Sequence, residues 1–546
     1  MSEALPTRIE RWQLHGAGLE ALRKATVALP APGPNELLVR HDACGICASD
    51  LKVIHLGPNH PKLITRDFEA HPVVLGHEVA LTIMQVGDAL QERFAVGERY
   101  IVQADIFVNG VSTAYGYTLE GGTAPYGIVG HEVLNGDHGC YLIPLRESTG
   151  YAEAALVEPW ACVVASYEYG NYRTGPIEDG RMLIVYVRGA LYGDQIKPLY
   201  PPGHQPSSVT TIDDITDINF ADLREAETGG YGFDDIIVYG TPSAFDLGRI
   251  LTCLGRNGIL NLVRDTPLTG TIPVDVGRVH YEQHLIVSTD SPTNVLAAYA
   301  SNTRSELKPG GRTWFVGAGG PMGQMHVQRA IGLASPPKTI LVTDRHADRL
   351  ERICERYGKQ AETSGIELIL HNTASGTNGM EYAPFDDIFS MVSNADLVAE
   401  TVPALAEGGV YNLFAGIAKG VTAEIDLGTV LAKNQRIIGT SGSSLEDIRH
   451  TLTLVEDGTL STNASLVAVS GLNAYPEALA AVKEGRYPGK TVVFPTLPDL
   501  PLLSLEDLQT QLPAVYALLQ DGQFWTREAE AELMGVPGLP GLEVRG

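Results

Sequence analysis

Across residues 1 to about 155, short apolar runs such as "ELLVRHDA", "EVALTIMQVG", "RYIVQAD" and "CYLIPL" alternate with glycine, proline and aspartate turns. Runs of this length, bounded by turn residues, predict strands, and their close spacing predicts a mostly antiparallel, barrel-like domain. From about residue 156 the pattern changes. Apolar strands such as "RMLIVYV", "DDIIVYG", "TWFVGAG", "TILVTD" and "YNLFAGI" alternate with helical stretches, which predicts doubly wound parallel sheets.

The second region repeats itself. "FDDIIVYG" (233–240) recurs as "FDDIFSMV" (385–392), "GILNLV" (258–263) as "GVYNLF" (409–414), and "IPVDVGRV" (272–279) as "AEIDLGTV" (423–430). Further back, "EDGRMLIVYVRGALY" (178–192) lies over "PGGRTWFVGAGGPMG" (309–323), and "VVASY" over "VLAAY". A period of about 130 residues is too long for a solenoid and is the size of a nucleotide-binding domain. The expected organisation is a barrel-like domain over 1–170, a first Rossmann-like unit over 171–300, a second over 301–445, a return to the first domain over 446–496, and a helical tail over 497–546. In the tail, Leu505, Leu508, Leu512, Val515 and Leu519 share one helical face, and Ser504 and Asp507 can form a capping box, which predicts a packing helix.

A chain of 546 residues has room for several cores. Its formal charge of −26, from 65 acidic and 39 basic residues, argues against nucleic acid as a partner. No stretch has the 18 or more apolar residues of a spanning helix, and the N-terminus lacks a signal-peptide core, so no membrane association and a cytoplasmic location are expected. Six cysteines in so long a chain, two of them close together, suit a reducing compartment.

"WFVGAGGPMGQMHVQRA" is a strand, then a loop with Gly317, Gly320 and Gly323, then an amphipathic helix. Such a loop lets backbone approach a pyrophosphate, and the helix start supplies free N–H groups and positive dipole. The next strand ends in Asp344, about 20 residues on, where a carboxylate can accept both hydroxyls of an adenosine ribose. Asp344 favours NAD(H) over NADP(H), although Arg345 beside it could accommodate a 2′-phosphate. Candidate cofactor contacts are Gly317, Gly319, Gly320, Pro321, Met322, Gly323, Asp344, Arg345, Arg349 and Gly416. The first unit has Tyr186 and Tyr192 where Gly317 and Gly323 stand in the second, and a shorter stretch before "FDDI". It is expected to lack part of the early αβ layer and to bind no dinucleotide.

"CGICASD" (44–50), "PVVLGHEVALTIMQVGD" (72–88) and "AALVEPWACVVASY" (154–167) hold the residues of a metal site. The order G-x-C-x-S-D, G-H-E, E-P resembles the zinc-containing medium-chain alcohol dehydrogenases, in the polyol and threonine dehydrogenase branch, over residues 36–170 and 307–496. The resemblance implies a GroES-like barrel with one catalytic zinc held by Cys47, His77, Glu78 and Glu158, the two glutamates able to exchange. It also implies Ser49 as the hydroxyl that takes the substrate proton and Asp50 as the partner that orients the metal-bound imidazole. Where many relatives carry a histidine three residues beyond that serine, this chain has Lys52, so proton exit would use Lys52, His55 or water. The cysteines of the structural-zinc lobe are missing between 103 and 140, so no structural zinc is expected.

Cys44 is expected to be a buried thiol, and the second "GHE", His131 and Glu132 in a Gly/Tyr-rich loop, a coincidence or pocket lining. Lys52, His55, His60, Lys62, Arg66 and His71 form a basic cluster that suits either an anionic substrate or a solvated loop. The leading reading is a zinc-dependent enzyme moving hydride between NAD(H) and a secondary alcohol or polyol, with a sugar phosphate as one option. The alternatives are a zinc-free quinone or enoyl reductase, separable by elemental analysis, and a non-catalytic NAD-binding scaffold, which would bind cofactor without turnover. The repeat suggests either a homodimer or a pseudo-dimer within one chain, the first Rossmann unit standing where a partner's would.

Overall fold

The computed structural model describes residues 5–167, 172–189, 200–440 and 442–535. The chain forms two compact units. One comprises residues 1–164, 320–325 and 442–546, the other 165–319 and 326–441.

The first unit is built on an eight-stranded sheet. Its order is Leu503–Ser504, Leu466–Gly471, Lys490–Phe494, Leu37–Gly45, Glu78–Val86, Arg99–Val102 and Leu142–Pro144, with Tyr126–Val129 also pairing on Leu37–Gly45. The strand Leu37–Gly45 is buried along its whole length. That is possible for its polar members only because they pair locally: Asp42 accepts from Arg40 Nε at 2.7 Å and Thr82 Oγ1 at 2.6 Å. The C-terminal strand Lys490–Phe494 lies antiparallel beside it, placing Val492 opposite Gly45 and Val493 opposite Cys44.

The second unit contains two parallel sheets. One has the order Ser208–Ile212, Arg181–Tyr186, Phe233–Tyr239, Leu254–Val263, Leu285–Thr289; the other Glu367–Asn372, Thr339–Asp344, Arg312–Val316, Phe385–Ser390, Leu405–Leu413, Arg436–Gly439. The first sheet has five strands and the second six; the strand missing from the first is the outer one, where its sequence is short.

The repeat extends to individual interactions. Buried Asp235 pairs with Arg173 at 2.8 Å, and its counterpart Asp387 with Arg304 at 2.5 Å. Asn261 donates to Val295 O at 2.9 Å, and its counterpart Asn412 to Ser166 O at 2.7 Å, so each copy fixes the helix that precedes the other copy's start. Each pair satisfies a buried polar group that would otherwise be costly.

The two copies meet about a local twofold axis. Ile272–Asp275 and Thr422–Ile425 pair antiparallel, and Pro273 faces Glu424, its own counterpart in the repeat. Close approach is symmetric as well. A Cβ on Gly277 would lie 2.3 Å from Ala418 O, and one on Gly428, its counterpart, 2.1 Å from Leu268 O. Ile259, Leu285, Val287 and Tyr299 of the first copy share one apolar cluster with Val410 and Ile438 of the second. An interface in which each copy presents the same patch has the form of a twofold dimer interface.

In the tail the stripe residues Leu505, Leu508, Val515 and Leu519 are buried, but the single helix expected is broken into Leu508–Gln511 and Pro513–Tyr516. Pro513 cannot donate to the preceding turn, so one helix stops and another starts. Ser504 and Asp507 do exchange capping bonds, at 2.8 and 3.1 Å. Farther on, Glu530 accepts the Tyr151 and Ala152 N–H groups at 2.5 and 2.8 Å, and Arg527 pairs with Glu153 at 2.6 Å, so the tail caps the helix Tyr151–Ala155.

Candidate metal centre and cofactor loop

The helix Ala48–Leu56 starts directly after the strand Leu37–Gly45, with Cys47 as its N-cap. Asp50, buried in the first turn of that helix, makes two contacts. Its Oδ2 accepts the Cys47 backbone N–H at 2.9 Å, and its Oδ1 lies 3.2 Å from His77 Nδ1. One carboxylate thus fixes the thiol-bearing backbone and the imidazole together. With a proton held on Nδ1 by Asp50, Nε2 is the nitrogen a metal would take, in place of the proton it otherwise carries. Burial opposes a charged His77, but Asp50 and a hydrogen bond with Cys47 outweigh it and hold the ring's pKa well above its ordinary value.

Glu78 is the first residue of its strand and faces Gly45 across the ladder. A Cβ there would fall 2.0 Å from Glu78 Oε2, so the carboxylate has its place only because residue 45 is glycine. Glu78 Oε1 accepts from Lys490 Nζ at 2.5 Å, and Lys490 also donates to Ile46 O at 2.9 Å. Burial alone would discharge Lys490, but Glu78 and Cys47 hold it protonated. Glu78 Oε2 is buried and has no hydrogen-bond partner among the described residues.

Ligand atoms of Cys47, His77 and Glu78 lie within 4.8 Å of one another, the one such group found among the described residues. A thiolate, an imidazole nitrogen and a carboxylate oxygen are the donors zinc takes, and an unpartnered buried oxygen in the group is what a missing cation leaves behind. The residues present fit the ion. Glu158, on the helix Val157–Ala165, stands outside that radius but feels the same charges. Burial pushes its carboxyl up to about 7, with His77 pulling it down and Glu78 adding to the rise.

Ser49 Oγ lies 3.2 Å from His77 Nε2, and Lys52 is exposed one turn further along the same helix. Cys44 is fully enclosed, and burial pushes its thiol well up, so it is a neutral core group. His131 is exposed on the short helix His131–Leu134, outside the metal group.

In the cofactor loop, Gly317 has φ +69°, a left-handed conformation that glycine adopts without strain. Its N–H points to Thr343 Oγ1 at 3.4 Å. Asp344 is drawn into the loop: Oδ2 accepts the Gly319 N–H and Oδ1 the His346 N–H, both at 2.9 Å. No atom comes within 4 Å of a Cβ built on Gly320, so that position is open. Pro321, Met322 and Gly323 form the first turn of the helix Pro321–Gly332. Arg345 is exposed and Arg349 half-buried. Gly416 lies against the first copy, a Cβ there being 2.5 Å from the Tyr281 hydroxyl. In the first copy, Tyr186 stacks on Tyr239 at 5.3 Å, occupying the place of the glycine turn. Tyr192 lies outside the described residues.

Two site residues were not anticipated from the sequence. Lys490 had a signal: one lysine in the apolar run "KTVVF", which a buried strand accepts only with a partnered charge. Tyr117 had none; its ring lies 5.6 Å from that of His77 and arrives there from a loop.

Residues 33–165 match the alcohol dehydrogenase GroES-like domain. The chain is 23% identical to mannitol-1-phosphate 5-dehydrogenase of Aliivibrio fischeri, over 95% of this chain and 96% of that one. It is 24% identical to L-sorbose 1-phosphate reductase of Klebsiella pneumoniae, over 95% of each. It is also similar in fold to 2R,3R-butanediol dehydrogenase from Bacillus subtilis, with a TM-score of 0.53 and 15% identity over 89% of this chain and 99% of that one. Its N-terminal region is thus similar to the alcohol dehydrogenase GroES-like domain, and the whole chain is similar to sugar-phosphate dehydrogenases. The chain is an oxidoreductase with a GroES-like domain and two Rossmann-like units, one more than the glycine loop alone requires. No helix among the described residues is long and apolar enough to cross a membrane.

Proposed function

We propose that the chain is a zinc- and NAD(H)-dependent dehydrogenase of polyols whose physiological substrates are phosphorylated. The observation that carries the metal assignment is Asp50, which holds Cys47 and His77 at once beside a Glu78 oxygen left unpartnered. Zinc, when bound, lowers the pKa of a substrate hydroxyl, and NAD⁺ takes the hydride. Cys47, His77 and Glu78 would hold the metal, with Glu158 as the ligand that exchanges with Glu78. Ser49 takes the substrate hydroxyl proton, and Lys52 on the same helix face passes it to solvent. Asp344 receives the adenosine ribose, which favours NAD(H), and Gly317 to Gly323 receive the pyrophosphate. Two relatives that align over 95% of this chain are named for sugar-phosphate substrates, which supports that substrate class.

Polyols, sugar phosphates and hydroxy acids tested with NAD⁺, with and without a chelator, check this. Oxidation of a phosphorylated polyol that a chelator abolishes and zinc restores is expected; turnover indifferent to the chelator contradicts it. Calorimetry with NADH should give one equivalent per chain, because Tyr186 and Tyr239 fill the first unit's turn. Two equivalents would show that turn to be functional. Lys52→Ala should lower kcat near neutral pH by roughly 100-fold, the low end of general acid–base effects, and a small amine buffer should recover part of it. An unchanged pH–rate profile would remove Lys52 from the proton path.

A further inference from the structure

We propose that His60, Lys62 and Lys52 form the subsite that binds the substrate's phosphate, beside Tyr117, whose ring also neighbours His77 of the metal centre. This rests on the polyol reading above and adds the recognition of the charged end.

The six basic residues of the 52–71 segment separate into two groups. Arg66 is committed to structure: its guanidinium donates to the carbonyls of His71, Thr118 and Pro72 at 2.6, 2.8 and 3.1 Å. His55 and His71 are exposed. Of the remaining three, His60 and Lys62 meet one ring. The Tyr117 ring lies 5.6 Å from that of His77 and 5.6 Å from that of His60, and Lys62 Nζ sits 5.4 Å from its centroid. Lys52 is close enough that its charge, with that of Lys62 and after the larger effect of burial, lowers the His60 pKa. In a chain of net charge −26, Lys52 and Lys62 beside an imidazole whose protonation they disfavour make a local cationic patch that attracts an anion.

The structure supplies part of that anion. Asp105 pairs with Lys62 at 2.7 Å, both side chains being partly exposed. An exposed pair of this kind holds weakly and can exchange partners. Lys52 has no hydrogen bond or ion pair among the described residues, and His60, though buried, receives only the Lys62 backbone N–H at its Nδ1, at 3.3 Å. A dianionic phosphate offers more charge and three acceptors, so it would draw Lys62 from Asp105.

A phosphate held at Lys62 would favour a polyol that carries one over a short, unphosphorylated alcohol.

The test compares each phosphorylated substrate with its unphosphorylated form: mannitol 1-phosphate with mannitol in oxidation, and L-sorbose 1-phosphate with L-sorbose in reduction. Wild type should prefer the phosphorylated member in kcat/KM. Lys62→Met should reduce that preference at least about tenfold, mostly through KM, while turnover of the unphosphorylated member stays the same. Asp105→Asn, which releases Lys62, should lower KM for the phosphorylated member. An equal loss on both members in Lys62→Met, or no preference in wild type, overturns the subsite and leaves the polyol reading standing. Turnover of neither pair, alongside oxidation of some other alcohol, overturns both.

Discussion

Cys47→Ala should lose zinc and activity together under the proposed assignment, whereas Cys44→Ala should keep both. The two cysteines are three residues apart, yet their surroundings differ in kind. Cys47 caps a helix beside His77 and Glu78, within 4.8 Å of ligand atoms on both. Cys44 points into the sheet, where burial pushes its thiol well up and a neutral thiol is the stable form. Loss of a partner that merely orients a ligand costs about 10–100-fold in metal affinity or activity, and loss of the ligand itself should exceed that. Zinc per chain by elemental analysis and NAD⁺-dependent rate, measured on the same preparations, check the pair. Retention of zinc by Cys47→Ala would transfer the role to another residue.

Lys490→Met destabilises the metal-free protein by about 3–5 kcal/mol, the cost of leaving a buried charge without its partner. Lys490 and Glu78 are both almost wholly enclosed and 2.5 Å apart, and Lys490 donates further to Ile46 O, so water cannot replace it. Zinc should reduce the loss, because Glu78 then has a second cation to face. Glu78→Gln should do the same, since a neutral amide needs no counter-charge, and the double substitution should be less damaging than the sum of the singles. Thermal unfolding of the four proteins with and without zinc measures this. A Lys490→Met protein as stable as wild type when metal-free would mean that Glu78 is protonated there.

Much of this architecture was legible because the repeat acts as an internal comparison. The matched runs "FDDI", "GILN/GVYN" and "VDVG/IDLG" carry the buried Asp235 and Asp387, the Asn261 and Asn412 side chains and the interface glycines 277 and 428. Each is a residue type whose chemistry constrains its surroundings, so its recurrence at the same register predicts the same contact. The break at Pro513 was equally open to view, but the leucine spacing on either side of it favoured one continuous helix. Local residues Cys47, Ser49 and Asp50 were legible through the resemblance of the run G-x-C-x-S-D to the zinc-containing alcohol dehydrogenases. Lys490 and Tyr117 were not, because strand pairing and a loop bring them to the centre from 412 residues and several turns away. Nothing in the local pattern encodes such a contact; only the assembled sheet does.

X-ray absorption at the zinc edge of the intact protein tests the account most directly. One sulfur at about 2.3 Å with the remaining ligands nitrogen or oxygen at about 2.0–2.2 Å is the predicted shell, a single thiolate from Cys47 beside His77 and carboxylate. Two sulfurs would return Cys44 to the metal, and none would place the zinc elsewhere; either result contradicts the centre described.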